Sequence, residues 1–294
     1  WKPERTPDSL ELLADALFDE IAHPIQGLAE LAQRTLATPS RVARQAGELV
    51  GGLLQILGGG MIAPSSPFNR MVGPNRRFAM ADAPVQTFKD VKNALGGTVN
   101  DVVLATVAGA LYRLLRHRKE PTRGRVLRAM VPVSVRADDQ KSTLGNRVSS
   151  IFVDLPVGPM GAKRRLAMIR ETTKHLKESG YAVGAEFLMN IGSWAPPTIH
   201  AMAARLAART RVMNLVVSNV PGPQVPMYIA GARLLAQYPV MPIAEAMGLS
   251  IAVTSLAGTM AFGITADWDT LPDIDVLAQA LEDSLAELRK AAGK

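Results

Sequence analysis

The chain has 294 residues, of which 48% are hydrophobic and 20% charged, and it carries a formal net charge of +7 at pH 7. This length corresponds to about two domains, and the composition excludes a disordered chain. Because there is no cysteine, disulfide frameworks, thiolate nucleophiles and cysteine-ligated metal sites are excluded. No uncharged apolar run reaches the ~18 residues of a membrane-spanning helix. The first residue is Trp1 rather than Met, so we expect the natural polypeptide to extend upstream.

The N-terminal part of the chain has helical periodicity. Leu10, Leu13, Leu17 and Ile21 recur at helical spacing. The stretch 49–69 contains no charge and five glycines, which suits either a membrane interface or a buried helix end leading into a loop. A proline-serine linker follows at 64–67. We therefore predict a helical connector over residues 1–64 and a C-terminal α/β lobe over residues 65–294.

Strand and helix patterns alternate after the linker. The helix at 99–116 has the clearest apolar stripe, and the helix at 161–179 presents basic residues opposite its apolar face. This order predicts an α/β fold with a mixed sheet and flanking helices. The predicted strands are 77–81, 126–135, 148–155, 212–220, 233–240, 249–255 and 260–266, and the predicted helices are 87–95, 99–116, 161–179, 183–209 and 274–288.

The start of the helix at 99–116 combines capping residues with an unexplained amide. Thr98 and Asp101 are spaced as an approximate capping box, which accounts for Asp101 without any function. Asn100 is not explained in this way, because its amide lies beside an apolar stripe. A side-chain amide and free backbone N–H groups at a helix start can stabilise a developing oxyanion. Asn100 is therefore a candidate site residue.

A second polar pair precedes the Pro221-Gly222-Pro223 turn signal. Ser218 and Asn219 follow a short apolar run. They mark either a tight exit from a strand or side chains that face a site, since ligands gather at strand ends in α/β sheets.

The acidic segment 267–273 precedes the last predicted helix. Thr270 and Asp273 are spaced as a capping box, with Pro272 in the first turn, and this interpretation is preferred over a metal site. The four histidines, at positions 23, 117, 175 and 200, are scattered, and no two are adjacent. We expect no metal and no catalytic histidine in this chain.

The basic excess is concentrated in a segment that we call the basic cluster. Such clusters suit phosphates in nucleic acid, anionic lipid or a nucleotide tail, although a solvated helix end is an equal alternative. Aromatic residues are only 5% of the chain and do not alternate with the basic ones, which disfavours nucleic acid. The cluster comprises Arg113, Arg116, Arg118, Lys119, Arg123, Arg125 and Arg128, and a second basic set comprises Lys163, Arg164, Arg165, Arg170, Lys174 and Lys177.

Several of these motifs together resemble the bacterial wax ester synthase/diacylglycerol acyltransferases. The resemblance extends over the whole chain, and the order and separation of the Asn-Asp-Val and Ser-Asn-Val-Pro-Gly-Pro segments carry it. The matching segments are Pro67-Phe68-Asn69, Gly73-Pro74, Arg76-Arg77, Thr98-Val99-Asn100-Asp101-Val102-Val103-Leu104-Ala105, Asn214-Leu215-Val216-Val217-Ser218-Asn219-Val220-Pro221-Gly222-Pro223 and Gly248-Leu249-Ser250.

The resemblance implies a CoA-dependent acyltransferase fold of the chloramphenicol-acetyltransferase type, with this chain as the second lobe plus connector. It implies transfer of a fatty acyl group from acyl-CoA, a substrate rather than a cofactor, to diacylglycerol or a long-chain alcohol. The family's general base is the second histidine of a His-His-x-x-x-Asp-Gly motif. That motif is absent here, so we expect it upstream of Trp1, on an N-terminal lobe that is a partner of this one, and we expect this chain alone to be inactive.

The resemblance also implies roles for particular residues. Asn100, Asp101, Ser218 and Asn219 are expected to support catalysis without transferring protons. In the basic cluster, Arg113, Arg116, Arg118 and Lys119 are expected to contact CoA phosphates or anionic lipid. We expect a cytoplasmic protein bound peripherally to the inner face of the membrane or to lipid bodies. The alternatives are a non-catalytic lipid-binding module of the same fold and a condensation-type domain that acts on carrier-bound substrates.

Overall fold

The computed structural model describes residues 63–134, 148–178, 212–244 and 246–294. These residues fall within one compact unit of the chain, Ala63–Glu186 with Arg211–Lys294. The predicted helices within 1–62 and 183–209 lie outside the described residues, as does the polar loop at 135–147.

The described residues form an α/β structure with most of the predicted elements. The observed bounds agree with prediction to within about three residues, except at 233–240. In chain order the elements are β1 (Arg76–Pro84), α1 (Val85–Leu95), α2 (Val99–His117), β2 (Val126–Ser134), β3 (Val148–Pro156), α3 (Ala162–Glu178), β4 (Leu215–Val220), β5 (Tyr228–Ile229), β6 (Ala232–Arg233), β7 (Leu249–Leu256), β8 (Thr259–Asp267) and α4 (Ile274–Ala291).

The main sheet is mixed, as predicted. Six strands run in the order β1-β8-β7-β4-β2-β3. Strand β4 pairs in parallel with both β2 and β7, whereas the outer pairs are antiparallel. The central position of β4 explains why its sequence is a short, almost continuous apolar run. The strand that ends in Ser218 and Asn219 therefore lies in the middle of the sheet.

The helices pack on one face of this sheet. Helix α2 contacts α3 and α4, while α3 lies against β3 and α4 against β1. Helix α2 is buried along most of its length, which accounts for its nearly unbroken apolar sequence. Phe88 of α1 stacks against Phe262 of β8 with ring centroids 6.0 Å apart, so the even-numbered positions of β8 face the helices. One apolar core fills the space between the sheet and the helices.

The predicted strand at 233–240 is wrong. Only Ala232–Arg233 pairs there, with Tyr228–Ile229 in a two-stranded hairpin. Pro239 and Pro242 lack the N–H groups that a ladder needs, and the segment instead crosses the sheet face opposite the helices. A Cβ at Gly263 would lie 1.7 Å from the Pro239 carbonyl oxygen, so this crossing requires glycine in β8.

The predicted capping box before the last helix is also wrong. Helix α4 begins after Asp273, whose side chain makes no capping hydrogen bond. The Asp273 carboxylate accepts hydrogen bonds from Arg118, at the end of α2. Sequence spacing could not reveal this competitor, because the guanidinium is 155 residues away in the chain.

We expect the Arg118–Asp273 ion pair to make stability depend on acidic pH. The hydrogen bond from Arg118 lowers the pKa of Asp273. A carboxylate with a lowered folded pKa contributes stability above its unfolded pKa of about 3.9, and that contribution is lost as the pH falls through the folded value. The chain should therefore melt at a higher temperature than an Asp273→Asn variant at pH 7, with the difference shrinking below about pH 4. A difference that stays constant down to pH 2.5 would contradict this assignment.

Among the described helices, none is by itself long and apolar enough to cross a membrane. Helices α1 and α2, which meet at an angle of 100°, satisfy the length and composition criteria only as a pair.

Candidate active site

Helix α2 begins with the predicted capping box, which the structure confirms. The Thr98 hydroxyl accepts a hydrogen bond from the Asp101 N–H, and the Asp101 carboxylate accepts one from the Thr98 N–H at 2.7 Å. Two of the donors at the helix start are thereby satisfied.

Asp101 also fixes the start of α2 against α3. The hydroxyl of Thr173 donates to the second carboxylate oxygen of Asp101 at 2.7 Å, and both residues are buried. Arg170, one turn earlier in α3, donates to the Leu95 carbonyl at 3.0 Å, which anchors the preceding turn. Sequence analysis missed Thr173. Its spacing from Leu166 and Ile169 on the apolar stripe was the available signal that it is buried.

The structure brings Asn100 and Asn219 together. The Asn219 amide nitrogen lies 3.4 Å from the Asn100 side-chain oxygen, a long hydrogen bond between the start of α2 and the end of β4. Both side chains are half-buried. Since the Asn100 oxygen faces Asn219, the Asn100 NH₂ group is the end of that amide that can donate to a substrate.

Ser218 does not join this pair. Successive side chains of a strand point to opposite faces, and Asn219 points to the helix side, where it meets α2. Ser218 therefore lies on the opposite face of the sheet, and it is largely buried there.

The turn after Asn219 is held against the end of β7. The Val220 carbonyl accepts a hydrogen bond from Thr254, and the Gly222 N–H donates to the Ser255 hydroxyl. A Cβ at Gly222 would lie only 2.1 Å from the Ser255 carbonyl oxygen. The glycine of the Pro-Gly-Pro segment is thus required by close packing, and the turn fixes where β4 and its Asn219 end.

The start of α2 can stabilise an oxyanion. Within the part of the chain that the structure describes, the backbone N–H groups of Val99 and Asn100 have no hydrogen-bond partner, as expected for the first turn of a helix. They lie beside the Asn100 amide at the positive end of the helix dipole. Such a group of donors suits a tetrahedral intermediate of acyl transfer.

Two of the predicted phosphate ligands are held in ion pairs. Arg113 pairs with Glu287 at 2.8 Å, and Arg118 pairs with Asp273 and also donates to the Thr270 carbonyl. Arg116 and Lys119 are exposed. Arg116 lies 16 residues along α2 from Asn100, or about 24 Å at 1.5 Å per residue.

The second basic set contains a buried member, so the prediction that it forms a basic outer face is wrong for Arg165. This side chain is 1% exposed, and its guanidinium donates to the carbonyls of Pro156, Gly158 and Met160. Burial lowers its pKa, and the charge of Glu287 opposes that shift. Arg165 therefore holds the loop between β3 and α3.

A further polar network joins three of the segments that carry the family resemblance. Asn214 is fully buried; its side-chain oxygen accepts from the Arg128 N–H, and its NH₂ donates to Pro64 and Asn69. The Phe68 carbonyl accepts from the Gly248 N–H at 2.8 Å. These motif residues stabilise the fold and do not face the start of α2.

The residues described include no group of three or more histidine or acidic side chains placed to hold a metal ion. Of the histidines, His117 ends α2 far from Asn100, His175 is exposed on α3, and positions 23 and 200 lie outside the described residues.

Two family models match the chain, and each match contains one of the two paired asparagines. The wax ester synthase/diacylglycerol acyltransferase catalytic domain matches residues 1–103, and the WS/DGAT C-terminal domain matches residues 144–289. Asn100 falls within the first match and Asn219 within the second. The contact between these two amides therefore joins the two matched segments.

Curated relatives agree with the family models. The chain is 34% identical over 250 residues to a probable diacylglycerol O-acyltransferase of Mycobacterium tuberculosis, covering 84% of this chain and 52% of that protein. It is 32% identical over 226 residues to the O-acyltransferase WSD of Acinetobacter baylyi, covering 76% of this chain and 48% of that protein. The chain thus spans about half the length of these relatives.

Solved structures agree on the fold. The wax ester synthase/diacylglycerol acyltransferase from Marinobacter aquaeolei superposes with a TM-score of 0.64 at 29% identity, covering 87% of this chain and 58% of that one. The nonribosomal peptide synthetase FmoA3 superposes with a TM-score of 0.53 at 12% identity, covering 81% of this chain and 24% of that one. The predicted acyltransferase-type fold is confirmed.

Proposed function

Because the chain belongs to the wax ester synthase/diacylglycerol acyltransferase family, we propose that the complete protein transfers a fatty acyl group from acyl-CoA to diacylglycerol or a long-chain alcohol. One observation carries the proposal. Asn100 and Asn219, from the two matched segments, meet beside the first N–H groups of α2, which have no hydrogen-bond partner among the described residues. The chain spans about half the length of these relatives, so the activity is proposed for the complete protein and not for this chain.

The general base in this proposal comes from an N-terminal lobe that carries His-His-x-x-x-Asp-Gly. A neutral histidine takes the proton of the acceptor hydroxyl, and the oxygen attacks the thioester carbonyl. The tetrahedral oxyanion then collapses to the ester as the carbon–sulfur bond breaks, and the histidine returns the proton to the CoA sulfur. This chain supplies the Asn100 NH₂ and the α2 N–H groups to the oxyanion.

The supporting residues have different roles in this proposal. Asn100 touches the reacting atoms, Asn219 orients its amide, and Asp101 is a positioning residue held by Thr98 and Thr173. Ser218, on the opposite face of the sheet, is not assigned to the oxyanion.

We propose that the exposed residues of the basic cluster contact an anionic lipid surface. Arg116 and Lys119 are exposed, and a basic side chain near an anionic lipid surface is worth about 1 kcal/mol of attraction. An extended CoA is about as long as the separation of about 24 Å along α2 between Asn100 and Arg116, so competition by free CoA is what distinguishes the two partners. The protein would then act from the cytoplasm as a peripheral membrane enzyme, with acyl-CoA as substrate and no cofactor.

Release of CoA from palmitoyl-CoA tests the activity. We expect none from this chain alone, because general base catalysis of this kind is worth about 10²- to 10⁴-fold. A polypeptide that extends the chain upstream through His-His-x-x-x-Asp-Gly should release CoA with dipalmitoylglycerol or hexadecanol as acceptor.

The extended polypeptide with the second histidine of that motif changed to alanine is the matched control, and it should be inactive. If the extended protein releases no CoA with either acceptor, the proposal fails and the lipid-binding module is favoured. A requirement for a carrier-bound thioester instead of CoA would identify the condensation-type alternative.

A further inference from the structure

A cleft opens at the end of the lobe opposite Asn100. It lies between the loop that follows α2, the end of β3 and the start of α3, and its volume is about 470 Å³. Because α2 runs from Asn100 to this loop, the cleft is separated from the candidate active site by the length of that helix. Its lining includes Arg123, Arg125, Met160 and Met168.

The rim of the cleft is cationic. Arg123 is exposed and makes no ion pair within the described ranges, whereas Arg125 is held by Glu120 and by the Ser65 carbonyl. Arg164, on the first turn of α3, is also exposed, and it lies one helical turn before the lining residue Met168. The cleft lining contains no carboxylate. A negative group on this rim would therefore meet the positive charges of Arg123 and Arg164 together with the positive end of the α3 dipole.

The wall of the cleft is apolar beside that rim. Met160 lines it just before α3 begins, and Met168, with 41% of its surface exposed, lines it from the second turn of the helix. Arg164 and Met168 are four residues apart, so their side chains lie next to each other on one face of α3. The positive charge of Arg164 and the exposed side chain of Met168 thus lie within one helical turn of each other.

We propose that this cleft binds one anionic phospholipid at a membrane surface, with Arg123 and Arg164 on the headgroup phosphate and Met160 and Met168 against the adjoining acyl chain. The inference rests on the proposed contact of the basic cluster with an anionic surface, and it gives that contact a defined lipid site. Basic side chains beside exposed apolar ones are typical of proteins that lie on anionic membranes. The lipid here anchors the protein and is not the acyl acceptor.

Binding of this 294-residue chain to vesicles of phosphatidylglycerol and phosphatidylcholine in equal amounts tests the proposal. A basic side chain near such a surface is worth about fivefold in partitioning. We therefore expect Arg123→Ala with Arg164→Ala to weaken binding about 25-fold, and Met168→Gln to weaken it further. Pure phosphatidylcholine vesicles should bind the chain and the variants equally weakly.

Arg289→Ala with Lys290→Ala is the matched control, because it removes the same charge from exposed positions at the end of α4. It should leave vesicle binding within about twofold of the unaltered chain. If the control pair weakens vesicle binding as much as the cleft pair does, the proposed lipid site is wrong and diffuse electrostatic attraction accounts for the binding. Displacement of the chain from vesicles by free CoA at stoichiometric concentration would identify a CoA site instead. Vesicle binding requires no acyl transfer. If this chain binds vesicles while the polypeptide extended through His-His-x-x-x-Asp-Gly releases no CoA, the lipid site stands and the proposed activity fails.

Discussion

Replacing Asn100 by alanine in the complete, active polypeptide should lower kcat by about 10²- to 10³-fold, the cost of removing one oxyanion donor from an acyl-transfer site. The KM for acyl-CoA should change little, because the donor acts on charge that develops only in the transition state. The melting temperature should fall by no more than a few degrees, because Asn100 is half-buried and the hydrogen bond that its side chain makes within the described residues, to Asn219, is long. Initial rates of CoA release and a thermal melt provide both measurements.

Thr98→Ala is the control that separates catalysis from capping. Loss of its hydroxyl removes the hydrogen bond to the Asp101 N–H and should cost about 1 kcal/mol of stability. Turnover in this variant should stay well above that of Asn100→Ala. If the two variants lose equal stability and equal activity, Asn100 is only part of the helix start and the oxyanion role is wrong.

The largest loss of stability should follow Asn214→Ala. Alanine would leave the Arg128 N–H, the Pro64 carbonyl and the Asn69 side-chain oxygen without the partner they have now. Each buried polar group left unsatisfied costs about 1–3 kcal/mol, and partial relaxation makes a total of about 3 kcal/mol the expected loss. For a domain of this size, that corresponds to a fall of roughly 6–12 °C in melting temperature.

Asn93→Ala is the matched control, since Asn93 is exposed on α1. The Asn93→Ala variant should change the melting temperature by only about a degree. Any change should be upward, because alanine has a higher helix propensity than asparagine. Equal melting temperatures for the Asn93 and Asn214 variants would show that the Asn214 network does not stabilise the fold. In the complete enzyme, Asn214→Ala should leave kcat near normal at temperatures well below the melt.

The sequence predicted the elements whose residues interact with their near neighbours. Helix α2 has a capping box of residues three apart and an apolar stripe that its own periodicity reveals, and both are confirmed. Strands β7 and β8 are apolar runs, and the strands predicted at 249–255 and 260–266 are confirmed. The prediction failed at 233–240, where only Arg233 pairs with another strand and the residues after it cross the face of the main sheet.

Contacts between distant residues were beyond sequence reasoning. The spacing of Thr270 and Asp273 suited a capping box, but Arg118 binds Asp273 more strongly, because charged hydrogen bonds exceed neutral ones. Likewise, Thr173 donates a hydrogen bond to Asp101, which lies 72 residues away in the chain. Helical periodicity predicts that Thr173 is buried, but it does not identify the residue that accepts this hydrogen bond.

The sequence by itself determined the family and the mixed α/β class, and it identified Asn100 and Asn219 as candidate site residues. These follow from short motifs and from hydrophobic periodicity, which are local properties of the chain. Only the tertiary structure decided that the two amides meet, that Ser218 faces away from them, and that Arg113 and Arg118 are held by carboxylates. Those outcomes depend on the central position of β4, on strand alternation and on the packing of α4 against α2, each of which joins segments that lie far apart in the sequence.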